Sequence, residues 1–233
     1  MANRPGNARA HNNLGVALNR DGKTVEAQIQ YTEAVRLKPD YVDAQNNLGA
    51  ALVRQGRNDE AIAHFAEAVR LRPGFADAQS NLAAALAKEG RNEEAAAHFS
   101  RAASLKPDSA LARNGLGNAL YVQGRIKEAI TQYSEAVRLD PGFAEARHNL
   151  GLAVLEQGDV QGAIVHFSAA LRLKPDYAEA HNNLGTLLYQ QAQIKEAIDH
   201  LAEAVRLDPD FKEARTNLRA AQAGPQLTKS KPP

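Results

Sequence analysis

Leu37-Lys38-Pro39 returns as Leu71-Arg72-Pro73, Leu105-Lys106-Pro107, Leu139-Asp140-Pro141, Leu173-Lys174-Pro175 and Leu207-Asp208-Pro209, each proline 34 residues after the last. A period of that length marks stacked supersecondary units. Six units follow: 8–41, 42–75, 76–109, 110–143, 144–177 and 178–211. With position 1 set at the third residue after each proline, Leu recurs at position 7, Gly or Ala at 8, and Leu or Val at 11. Gly recurs at 15 (Ala192 in the last unit), Ala at 20, an aromatic or Leu at 24, Ala at 27 and Pro at 32.

Positions 7, 8 and 11 share one face of a helix, and positions 20, 24 and 27 share one face of a second, by 3.6-residue spacing. Gly at 15 breaks the chain between them. Asn58-Asp59-Glu60 and Asn92-Glu93-Glu94 read as N-caps with acidic first turns, favourable to the dipole of the second helix. Pro at 32 ends that helix by excluding the helical conformation at the residue before it. Each unit is therefore a helix, a turn and a second antiparallel helix, and the expected class is all-α.

Composition agrees with such an array and narrows the function. The 28 basic residues nearly balance 27 acidic ones, and no basic run marks a nucleic-acid or anionic-membrane partner. With no cysteine, thiolate metal sites and disulfides are absent. Apolar stretches fall far short of the ~20 residues that span a bilayer, so no membrane contact is expected and the segment reads as soluble and cytoplasmic. Trp is missing and Ala abundant, which requires close packing through small side chains.

Small residues at 8, 20 and 27 followed by Pro at 32 resemble the tetratricopeptide repeat (TPR) family over residues 8–211. Position 4, often a large aromatic in that family, is polar here: His11, Gln45, Gln79, Arg113, Arg147 and His181. In this the sequence resembles the long superhelical arrays of the O-GlcNAc transferases more than it does short co-chaperone repeats. The resemblance implies a right-handed α-solenoid superhelix, with first helices lining a concave groove that binds extended peptides.

The two ends read differently. Arg4-Pro5-Gly6 places Pro5 34 residues before Pro39, so 1–7 fit the remnant of a preceding repeat and the sequence is expected to be part of a longer protein. Residues 212–223 repeat the first-helix pattern but carry Arg219 and Gln222 at positions 8 and 11, as expected of a capping helix. Residues 224–233 are expected to be a disordered tail.

Candidate binding residues lie on the first helices. Position 6 is Asn13, Asn47, Asn81, Asn149, Asn183 and Asn217, with Gly115 the exception. Asn is a poor helix former, and Ala would be better by roughly 0.5 kcal/mol at each place. Positions 2, 6, 9 and 13 share a stripe, and a primary amide there can pair with the N–H and C=O of an extended peptide. Alternatively, each amide bonds a neighbouring helix. The resemblance implies the first reading, an asparagine ladder. Position 5 (Asn12, Asn46, Ser80, Asn114, His148, Asn182) reads as a helix edge.

At position 2, Asp43, Asp77, Glu145 and Glu179 either read ligand side chains, as the resemblance implies, or form capping boxes with position 33, as in Asp40-x-x-Asp43 and Asp176-x-x-Glu179. Arg9 and Leu111 interrupt this row. Position 13 runs Arg20, Arg54, Lys88, Val122, Glu156 and Gln190: a ligand of uneven charge, or a solvated face. His64, His98, His166 and His200 at position 23 stand a stacking distance apart and read as surface or inter-repeat residues, not metal ligands. No phosphate-binding loop or nucleophile set appears, so neither catalysis nor a cofactor is expected. The expected function is a protein-interaction scaffold. End-to-end self-assembly, or recruitment of substrates to a larger enzyme such as a glycosyltransferase, are the alternatives.

Overall fold

The computed structural model describes residues 7–224, and every regular element in them is an α-helix. Of the remnant expected at 1–7 and the tail expected at 224–233, residues 1–6 and 225–233 lie outside the described residues. The chain groups into two compact units, residues 1–125 and 126–233, with the division in the turn inside the fourth repeat.

The first unit contains α1 (Ala8–Arg20), α2 (Thr24–Leu37), α3 (Val42–Arg54), α4 (Asn58–Leu71), α5 (Ala76–Lys88), α6 (Asn92–Leu105) and α7 (Ala110–Val122). Consecutive helices pack on one another, and the first helices of successive repeats, α1, α3, α5 and α7, also touch in series. The second unit contains α8 (Ile126–Leu139), α9 (Ala144–Glu156), α10 (Val160–Leu173), α11 (Ala178–Gln190), α12 (Ile194–Leu207) and α13 (Lys212–Ala223). Here too neighbours in sequence are neighbours in space, and α11 touches α13. On α13, Arg219 and Gln222 are exposed.

Each repeat closes around alanines. Those at positions 20 and 27, such as Ala27, Ala34, Ala163 and Ala170, are fully buried, as is a row at position 3 (Ala44, Ala78, Ala146, Ala180, Ala214) that the alignment on proline passed over. Position 8 shows why glycine stands there. A Cβ on Gly15, Gly49 or Gly151 would lie 2.6–2.7 Å from the ring of Tyr31, Phe65 or Phe167, the position-24 residue of the same repeat. Real Cβ atoms essentially never approach so closely, so the flat ring rests on bare backbone.

Helix ends follow the sequence in part. α2 stops at Leu37, and Lys38 before Pro39 lies outside the helical region at φ −144°, ψ 87°, since the residue before proline is kept out of that region. The turn glycines at position 15 have φ of 74–84°, and Ala192 adopts 61° in their place, a conformation costing a residue with a Cβ about 1–2 kcal/mol. The expected caps are corrected. Arg57 and Arg91 occupy the N-cap sites, while Asn58 and Asn92 are already helical. Asn58 instead donates to Glu89 of the next repeat at 2.9 Å. Tyr41 and Tyr177, not Asp40 and Asp176, hold the cap positions of α3 and α11, without side-chain capping bonds. The turn after proline runs one residue further than a capping box needs.

Candidate functional site

The paired asparagines form a bonded chain from repeat to repeat. In the first unit, Asn47 Nδ2 donates to Asn12 Oδ1 and Asn81 Nδ2 to Asn46 Oδ1, both at 2.9 Å. In the second, Asn217 Nδ2 donates to Asn182 Oδ1 at 2.9 Å and to Thr186 Oγ1 at 3.1 Å, and Asn183 Nδ2 lies 2.9 Å from His148 Nε2. Position 6 thus bonds position 5 of the preceding first helix. Except for half-buried Ser80, the position-5 residues are buried, Asn182 to 1% exposure, which corrects their reading as a helix edge. They are acceptors between stacked helices, where an unpaired amide would cost about 1–3 kcal/mol.

His148 takes the acceptor role with an imidazole. Because Nε2 accepts from Asn183, the proton of the neutral ring sits on Nδ1, which donates to the Tyr177 hydroxyl at 3.2 Å. Burial pushes the His148 pKa down and the Tyr177 phenol up to about 12.

The ladder leaves part of four of these amides free. Asn47, Asn81, Asn183 and Asn217 are half-buried, and among the described residues their carbonyl oxygens accept no hydrogen bond. Asn149 is half-buried as well, and Asn13 is exposed. Asn13 lines an open recess of about 590 Å³ with Ala8, Arg9, Asn12, Lys38, Tyr41 and Asp43.

The remaining candidates are distributed around this face. Arg20, Arg54 and Lys88 at position 13 are all exposed, and the Arg54 guanidinium donates to the Asn19 side chain of the preceding first helix. At position 2, Asp77 and Glu179 are exposed. Asp43 pairs with Arg72 at 3.3 Å and Glu145 with Lys174 at 3.5 Å. Such solvated pairs are worth ~0–1 kcal/mol. Arg72 and Lys174 also lie over the rings of Phe75 and Tyr177, 4.7 and 4.6 Å from the centroids.

Position 4 and position 23, separated by 19 residues, meet in the first three repeats and in the sixth, where His181 Nδ1 lies 2.9 Å from His200 Nδ1. His64 Nδ1 is 2.7 Å from Gln45 Oε1, His98 Nδ1 2.7 Å from Gln79 Oε1, and His11 Nδ1 2.8 Å from Gln30 Oε1. The other end of Gln45 donates to the Pro39 carbonyl at 2.8 Å, and Gln79 does the same to Pro73 at 3.1 Å. A polar strut therefore ties both helices to the preceding turn where the family often has an aromatic. His64, His98 and His200 are half-buried intra-repeat partners, which corrects their assignment to the surface or to inter-repeat contacts, whereas His166 is half-buried with, among the described residues, no hydrogen-bond partner at Nδ1. Among the described residues no group of three His, Cys, Asp or Glu side chains could hold a metal ion.

Family profiles match residues 2–42, 22–74, 46–110 and 178–211 as "Tetratricopeptide repeat", and 117–158 and 153–192 as "TPR repeat". The chain belongs to the tetratricopeptide repeat family. Solved TPR structures repeat the architecture. A chain of the APC/C hetero-tetramer Cut9-Hcn1 superposes with a TM-score of 0.81 at 21% identity over 94% of this chain, which spans 44% of that chain's length. PilW, a type IV pilus biogenesis factor, gives 0.80 at 18% identity, covering 91% of this chain and 98% of its own. YrrB, a TPR protein with an unusual peptide-binding site, gives 0.63 at 22% identity, covering 81% and 97%. No curated protein sequence matches. No helix among the described residues of this TPR protein is long and apolar enough to cross a membrane.

Burial lowers the pKa of His64, His98, His148, His166 and His200 in these TPR units. The unfolded chain, titrating near about 6.5, then binds protons more readily than the folded one. Stability is fully present above that value and is lost as pH falls below it through the lowered folded pKa values. Protonated His148 would also set an N–H against the Asn183 N–H. The melting temperature is expected to be lower at pH 5.5 than at pH 7.5, with the drop reduced in a His64→Gln/His98→Gln/His148→Asn variant. An equal drop in both proteins would assign the acid sensitivity elsewhere.

Proposed function

We propose that this TPR protein is a non-catalytic interaction scaffold whose first-helix face binds extended peptide segments. The observation that carries this reading is the half-used ladder amide. The N–H bond to position 5 fixes the orientation of Asn47, Asn81, Asn183 and Asn217, and their unbonded carbonyl oxygens remain for a ligand. A row of fixed acceptors suits the backbone N–H groups of a chain with no secondary structure of its own, independent of its side chains. The inter-repeat bond and ligand binding are then two uses of one side chain, so the inter-helix alternative does not exclude the groove reading. The likeness to the O-GlcNAc transferase ladder belongs to this proposal. YrrB, with its peptide-binding site, offers a precedent on the same fold.

Two double variants separate the two uses. Asn47→Ala/Asn81→Ala removes the inter-repeat bonds together with the free carbonyls, whereas Asn12→Ala/Asn46→Ala removes the same bonds and keeps the carbonyls. On a random peptide array, with circular dichroism as fold control, the first is expected to lose about tenfold in binding, at roughly 1 kcal/mol or somewhat less per hydrogen bond. The second should bind nearly as the parent does. Equal losses in both would reduce the asparagines to inter-helix fittings.

A further inference from the structure

An ion pair that two other repeats make is replaced in the first repeat by two like charges. In the second repeat the position-2 acid Asp43 meets the position-31 cation Arg72 at 3.3 Å, and in the fifth Glu145 meets Lys174 at 3.5 Å. Each of these cations also lies over the position-34 ring of its own repeat, 4.7 Å from the centroid of Phe75 and 4.6 Å from that of Tyr177. In the first repeat the same three positions hold Arg9, Lys38 and Tyr41. Cation and ring are kept, but the acid has become a second cation.

These three residues wall the open recess of about 590 Å³ beside Asn13. Arg9 and Lys38 are exposed, and among the described residues neither has an ion-pair partner. Lys38 Nζ stands 5.8 Å from the Tyr41 centroid, further out than its counterparts over Phe75 and Tyr177. Asp43, the acid in the recess, is already held by Arg72, and Asp40 does not line it. Two cations facing one recess repel each other, and an anion between them reverses the sign of the interaction. Asn13, the first amide of the position-6 row, also faces the recess, so a peptide lying along that row passes it. The class of anion follows from the chain itself, since the equivalent place is filled by a carboxylate in Asp43 and Glu145.

We propose, resting on the peptide-binding reading above, that the recess of the first repeat selects an acidic side chain of the bound peptide. An aspartate or glutamate of the ligand enters between Arg9 and Lys38 and supplies the carboxylate that Asp43 and Glu145 supply in their own repeats.

The test uses short fluorescent peptides of serine and alanine, acetylated and C-terminally amidated, with a single glutamate whose place is scanned along the peptide. Each has a glutamine and a phosphoserine analogue, and one further probe lacks glutamate but keeps a free C-terminal carboxylate. At one scanned place the glutamate probe should bind the full chain about fivefold more tightly than its glutamine analogue, as two solvated ion pairs allow, and salt should shrink that advantage. Arg9→Asp installs the acid that the second and fifth repeats carry. It should abolish the preference and bind the glutamine probe as the parent does, whereas Arg9→Lys should keep the preference. Position 2 is Asp or Glu in four other repeats, so folding is not at risk, and circular dichroism checks it. An undiminished glutamate preference in Arg9→Asp would place the acidic side chain elsewhere and overturn the inference. So would a gain confined to the phosphoserine probe or to the free C-terminal carboxylate. Equal affinity for glutamate and glutamine probes, with binding still lost in Asn47→Ala/Asn81→Ala, overturns the recess and leaves the ladder reading intact. No binding of any probe or array peptide overturns both.

Discussion

Replacing Phe65 by Ala is expected to lower the unfolding free energy by about 3–5 kcal/mol, read as a shifted urea midpoint. Phe65 is 1% exposed, and its ring lies flat against Gly49, between the two helices of the second repeat. The neighbours cannot close the cavity. Gly49 has no side chain to extend into it, and Ala61 and Ala68 on the same helix face as Phe65 are already buried. The loss should therefore fall toward the upper end of the range. Because a stacked array draws stability from nearest-neighbour contacts, protection from amide exchange should fall first in α3 and α4. A loss under about 1 kcal/mol would mean the ring is not the wedge that holds the repeat together.

Gly115→Asn, which would complete the ladder by sequence, is expected to destabilise the protein by about 1–3 kcal/mol through overpacking. A Cβ at Gly115 would meet the Phe99 ring, whose Cζ would lie only 2.5 Å away. The cause lies in the preceding repeat. Where position 8 is glycine, the ring at position 24 rests on that glycine, as Phe65 does on Gly49 and Phe167 on Gly151. In the third repeat position 8 is Ala83, its methyl occupies that space, and the Phe99 ring instead lies against Gly115 of the next repeat. Ala83 and Gly115 are thus a coupled pair. Ala83→Gly in the Gly115→Asn background should let the ring retreat and recover at least half of the loss, with the Ser80 hydroxyl in the ladder partner's place. A double-mutant cycle without coupling would refute the pairing.

The sequence by itself determined the 34-residue period, the two helices of each repeat, their termination before proline and the glycine turns. These are local consequences of side-chain spacing and of backbone restrictions at Pro and Gly, so they survive reading one residue at a time. It also singled out position 6 as a place where Asn opposes helix propensity. The partner of that amide was not legible, because Asn47 and Asn12 stand 35 residues apart and meet only once the repeats stack. The same distance hid the buried acceptors at position 5, and a separation of 19 residues hid the histidine–glutamine struts, which a single-helix view assigns to edges and surfaces. Cap positions were misplaced by one residue, since the length of the turn after proline depends on how the next helix docks.

The exception at Gly115 shows the division in one residue. Sequence marks it as a break in a row. Only the packed structure reveals that a methyl on one helix displaces a ring onto another, because side-chain volume acts through contacts between repeats that periodicity does not encode.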